Sequence, residues 1–342
     1  MMRAHGFVPA ISRLALVLSL PIATASAQVV TQFHDGITSG AGPSGITAGP
    51  DGNLWFTETS ASRVARITVD GTVTEFSEGI TVDSEPYGIV GGPDGNVWFT
   101  ERAGNRIGKI TPAGVVTEFS MGITANAYPF FIALGPDGNL WFTEGYANKI
   151  GQITPAGVVT EFSTGITAGA APVGIAAGSD GNLWFAEQEG NRIARITPLG
   201  EVVEFDAGIS PGSKPFAMAA GPDGNLWFTE YLGSQIGRIT PSGQVTEFSQ
   251  GITGGFGGAL LFGITAAADG NLWFTEACCD RVGRITTDGA VTEFGTMQAA
   301  SGPQGITGGP DGNVWFAEVD DRVARITTGV LGDEIFADGF DG

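Results

Sequence analysis

Short apolar runs separated by turn residues recur along this chain. In residues 86–119, clusters of Pro, Gly, Asp and Asn divide the sequence into segments that are too short for helices. No segment shows helical periodicity, so the pattern predicts an all-β protein. The four predicted strands of this unit, named a to d, are Gly88–Gly91, Val97–Glu101, Arg106–Thr111 and Val115–Phe119.

The same unit is repeated seven times along the chain. All seven tryptophans fall within copies of GPDGNLWFTE, at successive spacings of 43, 43, 43, 43, 46 and 42 residues. A period of this length is typical of a propeller blade of four short strands. Each tryptophan lies in the middle of strand b, where we expect it to fill the space between blades. The sequence therefore predicts a seven-bladed β-propeller over residues 28–329. The tryptophans are Trp55, Trp98, Trp141, Trp184, Trp227, Trp273 and Trp315.

The count of strands predicts how the ring closes. The seventh unit stops after strand c, whereas Val30–Phe33 is a copy of strand d that precedes any strand a. We expect this N-terminal copy to pair with Arg322–Thr327 as the outer strand of the last blade. Such pairing removes two exposed sheet edges at once.

The two ends of the chain lie outside the repeat. Basic residues precede the apolar run Leu14–Ala23, and Ala25–Ala27 forms an Ala-x-Ala cleavage pattern, so residues 1–27 read as a signal peptide. We therefore expect a secreted or periplasmic protein. Residues 330–342 form an acidic and aromatic tail that we expect to be disordered.

The charge of the chain excludes some partners. With 16 basic and 36 acidic residues the formal net charge is −20, which argues against nucleic acid or an anionic membrane. We expect a monomer that binds a small molecule.

Strand order predicts where a binding site lies. The d–a and b–c loops share one face of the ring, and the Pro-Asp-Gly-Asn turns lie on the other. Strand b ends in glutamate in every blade, whereas the facing residue at the start of strand a varies. These facing pairs are Ser44 with Glu58, Tyr87 with Glu101, Phe130 with Glu144, Val173 with Glu187, Phe216 with Glu230, Phe262 with Glu276 and Gln304 with Glu318.

Two roles are open for the constant glutamates. They could accept hydrogen bonds from neighbouring loops, or they could form a ring of carboxylates, including Glu101 and Glu144, that binds Mg²⁺ or Ca²⁺. Variable residues would then line an amphipathic mouth above them. The ligand-binding candidates are Gln304, Tyr128, Phe130, Phe216, Phe262 and Lys214.

The repeated GIxxGPDGNLWFTE and NRIGRITPxGxVTEF segments, over residues 29–327, resemble the streptogramin lyase family, also called the virginiamycin B lyase family. The resemblance implies a seven-bladed propeller that linearises cyclic streptogramin B depsipeptides by Mg²⁺-dependent elimination. It also implies a catalytic histidine in a Glu-x-His-Gly-Ile context, with a second glutamate at the end of strand b.

Blade two matches this context best. Glu85, Tyr87 and Glu101 stand where the family has its first glutamate, histidine and second glutamate, so they are the catalytic candidates, and Glu85 joins Glu101 and Glu144 as a metal candidate. The histidine is absent there and in every other blade, and only His34 remains after signal cleavage. The six other histidine positions hold Ser44, Phe130, Val173, Phe216, Phe262 and Gln304.

Two classes of function follow from this departure. One is a binding propeller that keeps the fold, with or without the family's cation, but lacks lyase chemistry. The other is a virginiamycin B lyase-type, Mg²⁺-dependent C–O lyase that opens a cyclic depsipeptide or lactone. Adjacent Cys278 and Cys279 lie in a b–c loop on the same face, either as a vicinal disulfide or as an unpaired thiol pair.

Overall fold

The computed structural model describes residues 28–254, 258–296 and 298–329. The predicted signal peptide, residues 1–27, and the predicted tail, residues 330–342, lie outside these ranges. Within the described residues there is no helix of the length and hydrophobicity needed to cross a membrane. The one helical element in this part of the chain is a short 3₁₀ turn at Thr59–Ala61.

Seven four-stranded antiparallel sheets form the blades of a propeller, as the repeat predicts. The inner strands, a, are Pro43–Ala48, Pro86–Gly91, Pro129–Leu134, Pro172–Ala177, Pro215–Ala220, Leu261–Ala266 and Pro303–Gly308. The b strands are Leu54–Glu58, Val97–Glu101, Leu140–Glu144, Leu183–Glu187, Leu226–Glu230, Leu272–Glu276 and Val314–Glu318. The c strands are Arg63–Ile67, Arg106–Ile110, Lys149–Ile153, Arg192–Ile196, Gln235–Ile239, Arg281–Ile285 and Arg322–Ile326. The outer strands, d, are Val73–Phe76, Val116–Phe119, Val159–Phe162, Val202–Phe205, Val245–Phe248, Val291–Gly295 and, for blade seven, Val30–Phe33.

The predicted closure of the ring is confirmed. Val30–Phe33 pairs antiparallel with the last c strand, with Val30 opposite Ile326 and Phe33 opposite Val323. The Phe33 ring stacks on Trp315 with centroids 5.3 Å apart, as the strand-d phenylalanine does in the other blades. The N-terminal strand therefore supplies both the missing backbone ladder and the missing aromatic ring of blade seven.

Each blade is held by its strand-b tryptophan. All seven rings are fully buried, which confirms their structural role. In blade one the Trp55 Nε1–H donates to Asp51 Oδ1 at 2.9 Å, so the turn aspartate satisfies the one polar atom of the ring. Burying about 150–250 Å² of ring at ~25 cal/mol/Å² contributes roughly 4–6 kcal/mol gross per tryptophan.

A β-bulge interrupts strand a in every blade. In blade one Pro43 faces Glu58 and Ile46 faces Phe56, so two residues, Ser44 and Gly45, stand against Thr57 alone. The extra residue bends the inner strand where it meets the mouth of the channel. Gly45 is required at the bend because a Cβ there would lie 2.2 Å from the Tyr87 carbonyl oxygen of the next blade.

Candidate functional site: the channel mouth

A cavity of about 520 Å³ opens at the channel mouth, on the face that carries the b–c loops. Its size lies within the range of small-molecule sites, and its lining combines five aromatic side chains with six polar ones. Below it the channel narrows to a second, apolar cavity of about 280 Å³ between the inner strands. The mouth cavity is lined by Gly42, Ser44, Thr59, Ser60, Tyr87, Arg102, Phe130, Gln188, Phe216, Tyr231, Phe262, Gln304 and Val319.

The strand-b threonines position most of the inner mouth residues. Thr57 Oγ1 accepts from the Gly45 N–H at 2.9 Å within its own blade and donates to the Tyr87 carbonyl of the next blade at 2.8 Å. The same pair of hydrogen bonds links each threonine-bearing blade to its neighbour. The carbonyls held in this way belong to Tyr87, Phe130, Val173, Phe262 and Gln304.

A second set of mouth residues comes from the position that follows the strand-b glutamate. Strand b ends at the buried glutamate in each blade, and the next residue begins the b–c loop on the face where the cavity opens. Sequence reasoning concentrated on the constant glutamates and missed these positions. Their signal is variability, since the residue differs from blade to blade. The seven are Thr59, Arg102, Gly145, Gln188, Tyr231, Ala277 and Val319, of which all but Gly145 and Ala277 line the cavity.

Aromatic rings from blades two, three, five and six meet across the mouth. Phe216 is central, with its ring centroid 4.6 Å from Phe262, 5.6 Å from Tyr231 and 6.0 Å from Phe130. Phe130 in turn lies 4.6 Å from Tyr87. The predicted ligand-binding residues Phe130, Phe216 and Phe262 are therefore brought together as one apolar surface.

Arg102 organises the polar side of this surface. Its guanidinium lies 4.1 Å from the Tyr87 ring centroid and 5.3 Å from that of Phe130. Nη2 donates to Glu85 Oε2 at 3.3 Å, and the Tyr128 hydroxyl donates to the same oxygen at 3.2 Å. Glu85, Tyr87 and Tyr128 thus share one arginine, which sequence reasoning did not include.

The phenol of Tyr87 is unsuited to act as a base. Burial raises the pKa of Tyr87 well above its usual value, and the Arg102 charge opposes that shift only in part. A general base needs a pKa near the working pH. The raised pKa of Tyr87 therefore does not support the predicted catalytic role, and its side chain lines the mouth cavity.

The strand-b glutamates do not form a ring around the mouth. All seven are fully buried, and none of them lines the cavity. In six blades the carboxyl group faces the strand-d glutamate of its own blade, as Glu144 faces Glu161. In blade seven Gln32 takes the strand-d place and its Nε2 donates to Glu318 Oε2 at 2.7 Å.

Protonation of the strand-b glutamate relieves the repulsion between the two carboxyl groups of each pair. Burial, followed by the nearby Glu161 carboxylate, raises the pKa of Glu144 to about 8. Both Glu144 oxygens lack a donor, as expected of a neutral acid that donates its own proton to Glu161. Burial works to raise the pKa of Glu161 too, but hydrogen bonds from Lys149 and Thr124 outweigh it and lower that pKa. Burial likewise raises the pKa of the other strand-b glutamates, to about 8 for Glu58, Glu101, Glu187, Glu230 and Glu276 and to about 7 for Glu318.

These residues do not fit a divalent cation. Across the described residues there is no group of three or more His, Cys, Asp or Glu side chains arranged to hold a metal ion. Glu101 and Glu144 are buried in separate blades, and Glu85 is engaged by Arg102 on the surface. The predicted metal set of Glu85, Glu101 and Glu144 is therefore not brought together as one cluster in the described part of the chain.

The remaining predicted residues lie at different depths. Gln304 lines the cavity, and its Oε1 is buried without a hydrogen-bond partner among the described residues. Lys214 lies outside the cavity lining and pairs with Glu189 at 2.5 Å. His34 is exposed beside Asp35 at the outer strand of blade seven, far from the inner strands. Cys278 and Cys279 are joined as a vicinal disulfide.

The fold and its mouth define a seven-bladed propeller with a small-molecule-sized cavity on the loop face. The chain belongs to the virginiamycin B lyase family, whose model matches residues 15–248 and 207–334.

Three solved structures show the same relationship. Selenomethionine-substituted virginiamycin B lyase from Staphylococcus aureus is 36% identical with a TM-score of 0.81, over 88% of this chain and 99% of that one. A streptogramin B lyase structure is 33% identical with a TM-score of 0.81, over 88% and 97%. A catalytically inactive histidine-to-alanine variant of the S. aureus enzyme with quinupristin is 35% identical with a TM-score of 0.82, over 88% and 99%.

Proposed function

We propose that this streptogramin-lyase-like propeller binds a small molecule at the channel mouth and has lost the histidine-based lyase chemistry of its family. The observation that carries the proposal is the cavity of about 520 Å³, built from the positions that vary between blades. None of the seven positions equivalent to the family histidine holds histidine in this chain.

The side chains at the mouth support binding more than elimination. Removing a proton next to a carbonyl requires a base with a pKa near the working pH and a group that stabilises the developing enolate. Tyr87 has its pKa raised by burial, and the strand-b glutamates do not line the cavity. Glu85 reaches the surface but is engaged by Arg102 and Tyr128.

The alternative is a Mg²⁺-dependent C–O lyase that opens a cyclic depsipeptide or lactone. Membership of the family and 36% identity to an S. aureus virginiamycin B lyase favour it. It requires a base other than histidine, and Glu85 is a candidate because it contacts Arg102, which lines the cavity. Because no metal cluster fits the described residues, we assign no step to a cation.

We further propose that the protein is exported and acts as a monomer. Export is supported by the sequence of residues 1–27, which precedes the first propeller strand. Ring closure supports the monomer, because the pairing of Val30–Phe33 with the last blade leaves no blade incomplete.

A small-molecule screen on the mature protein tests the proposed site. Ligands that raise the melting temperature of the native protein identify binding, since a ligand that prefers the folded state must stabilise it. Tyr231→Ala removes a ring that contacts Phe216 and Phe262, and it should abolish most of the shift. Leu199→Ala, at an exposed turn on the opposite face, is the matched control and should leave it unchanged. Equal shifts in both variants would place binding elsewhere.

A further inference from the structure

One charged side chain lines the mouth cavity among the described residues, and it is a cation. Arg102 stands among aromatic rings in a chain whose formal net charge is −20. The side chain is largely shielded, with 18% of it exposed. A guanidinium held between rings in this way is weakly hydrated and keeps its charge at any working pH. It is therefore a candidate for recognition of a ligand anion.

The hydrogen-bonding capacity of Arg102 is mostly unused. A guanidinium carries five N–H donors, and the structure gives this one a single hydrogen bond, from Nη2 to Glu85 Oε2 at 3.3 Å. Nε is buried and has no partner among the described residues. The donors of Arg102 other than Nε and the one bound to Glu85 are therefore available to acceptors that a ligand brings into the mouth.

Glu85 does not occupy the mouth side of the arginine. A third cavity, polar and of about 280 Å³, adjoins the mouth, and Arg102 lines both this polar cavity and the mouth. Glu85 lines the polar cavity, with Asp83, and does not line the mouth. Arg102 thus lies between Glu85, in the polar cavity, and the aromatic side chains of the mouth.

The rest of the mouth indicates the body of the ligand. Phe216, Phe262 and Tyr231 offer ring faces and edges, which suit a planar apolar group. Gln304 also lines the mouth, so its amide group is the polar partner available to a ligand hydroxyl or amide on that side.

We propose that the channel mouth binds a small aromatic carboxylate, with the carboxylate on Arg102 and the ring on the surface around Phe216. The carboxylate matches the planar fork of the guanidinium, and the ring displaces water from the aromatic side chains. This inference rests on the proposed small-molecule site and names the class of ligand. Glu85 would then weaken ligand binding, because its carboxylate competes with that of the ligand for the Arg102 guanidinium.

Calorimetric titration with 2-naphthoate and its neutral isostere 2-naphthamide tests the inference in 0.15 M salt. Because charge-assisted hydrogen bonds are about twice as strong as neutral ones, we expect the carboxylate to bind about tenfold or more tighter than the amide. Equal affinities would overturn the carboxylate assignment but leave the small-molecule site standing. Absence of binding by both compounds would overturn the ligand class, whereas the site itself is tested separately by the melting-temperature screen with Tyr231→Ala.

Charge-removing variants separate the two carboxylates. Arg102→Gln should abolish the preference for 2-naphthoate over 2-naphthamide, and Glu85→Gln should strengthen 2-naphthoate binding several-fold by removing the competing anion. Arg192→Gln is the matched control, since Arg192 pairs with Glu204 at 2.9 Å and does not line the mouth. A preference that persists in Arg102→Gln, or weaker naphthoate binding in a folded Glu85→Gln protein, would contradict the proposal.

Discussion

Replacing Glu144 with glutamine tests the inference that the buried glutamate pairs share a proton. Glu144 is fully buried against Glu161, and no donor reaches its oxygens. Glutamine keeps the shape of the side chain and offers an N–H donor to Glu161, but it cannot titrate. Blade seven already contains such a pair, in which the Gln32 amide donates to Glu318 at 2.7 Å.

The sign of the effect follows from the raised pKa. The pKa of Glu144 rises from 4.5 to about 8 on folding, so between these values the folded protein holds a proton that the unfolded chain releases. The stability that this proton contributes is complete below pH 4.5 and is lost as the pH rises towards 8. The lowered pKa of Glu161 acts only below the ordinary range of a glutamate, outside this window.

The magnitude is large enough to measure. One extra bound proton makes the free energy of unfolding fall by about 1.4 kcal/mol per pH unit, or about 2.7 kcal/mol between roughly pH 5.5 and 7.5. Glu144→Gln should remove the contribution of this one proton to the pH slope. Its free energy of unfolding, relative to that of the parent, should therefore rise by about 2.7 kcal/mol across the window. In a domain of this size the gain corresponds to roughly 5 °C in melting temperature.

Urea titrations at several pH values, followed by tryptophan fluorescence, provide the free energies. The exposed Glu201→Gln serves as the control for removal of one negative charge at a surface site. We expect the Glu144→Gln and parent stabilities to diverge as the pH rises, and the Glu201→Gln difference to stay constant. Parallel pH profiles for Glu144→Gln and the parent would refute the shared proton.

Three further predictions concern stability. Deleting residues 28–36 should cost at least about 3 kcal/mol, because blade seven loses its outer strand and the Phe33 ring on Trp315; an unchanged melting temperature would contradict the closure. Asp137→Ala should cost about 1–3 kcal/mol by orphaning the Trp141 Nε1–H, with a smaller loss in Asp137→Asn, and equal losses would argue against that hydrogen bond. Millimolar MgCl₂ should not raise the melting temperature beyond salt-matched NaCl, and a rise of several degrees would indicate a cation site.

The sequence was sufficient to predict the fold because every blade repeats the same local rules. The spacing of the tryptophans gives the number of blades, and the orphan copy Val30–Phe33 gives the closure. Predicted strand b of blade two, Val97–Glu101, is confirmed without change, whereas strand a begins earlier, at Pro86, than the predicted Gly88. Proline at the start of a strand costs no ladder hydrogen bond, so the strand accommodates it.

The site was harder to predict because it depends on a shift of one residue. The bulge puts Pro86, rather than the predicted Tyr87, opposite Glu101, and Arg102, which follows strand b in the b–c loop, reaches the mouth. Counting residues in a hairpin gives the pairing only when both strands are regular. The glutamates that repeat in every blade drew the site prediction to themselves, but they are buried inside the blades and do not line the mouth. The variable positions on either side of them form the cavity.

The rate of streptogramin B linearisation tests most directly whether this propeller has lost the lyase chemistry of its family. Purified mature protein and the S. aureus virginiamycin B lyase are compared at equal concentration, with Mg²⁺ present, by following loss of the cyclic depsipeptide. Losing a positioned general base typically removes about 10²–10⁴ in rate, so we expect turnover lower by that factor or undetectable. Turnover at a rate comparable to the S. aureus enzyme would contradict the claim that this propeller has lost its family's chemistry.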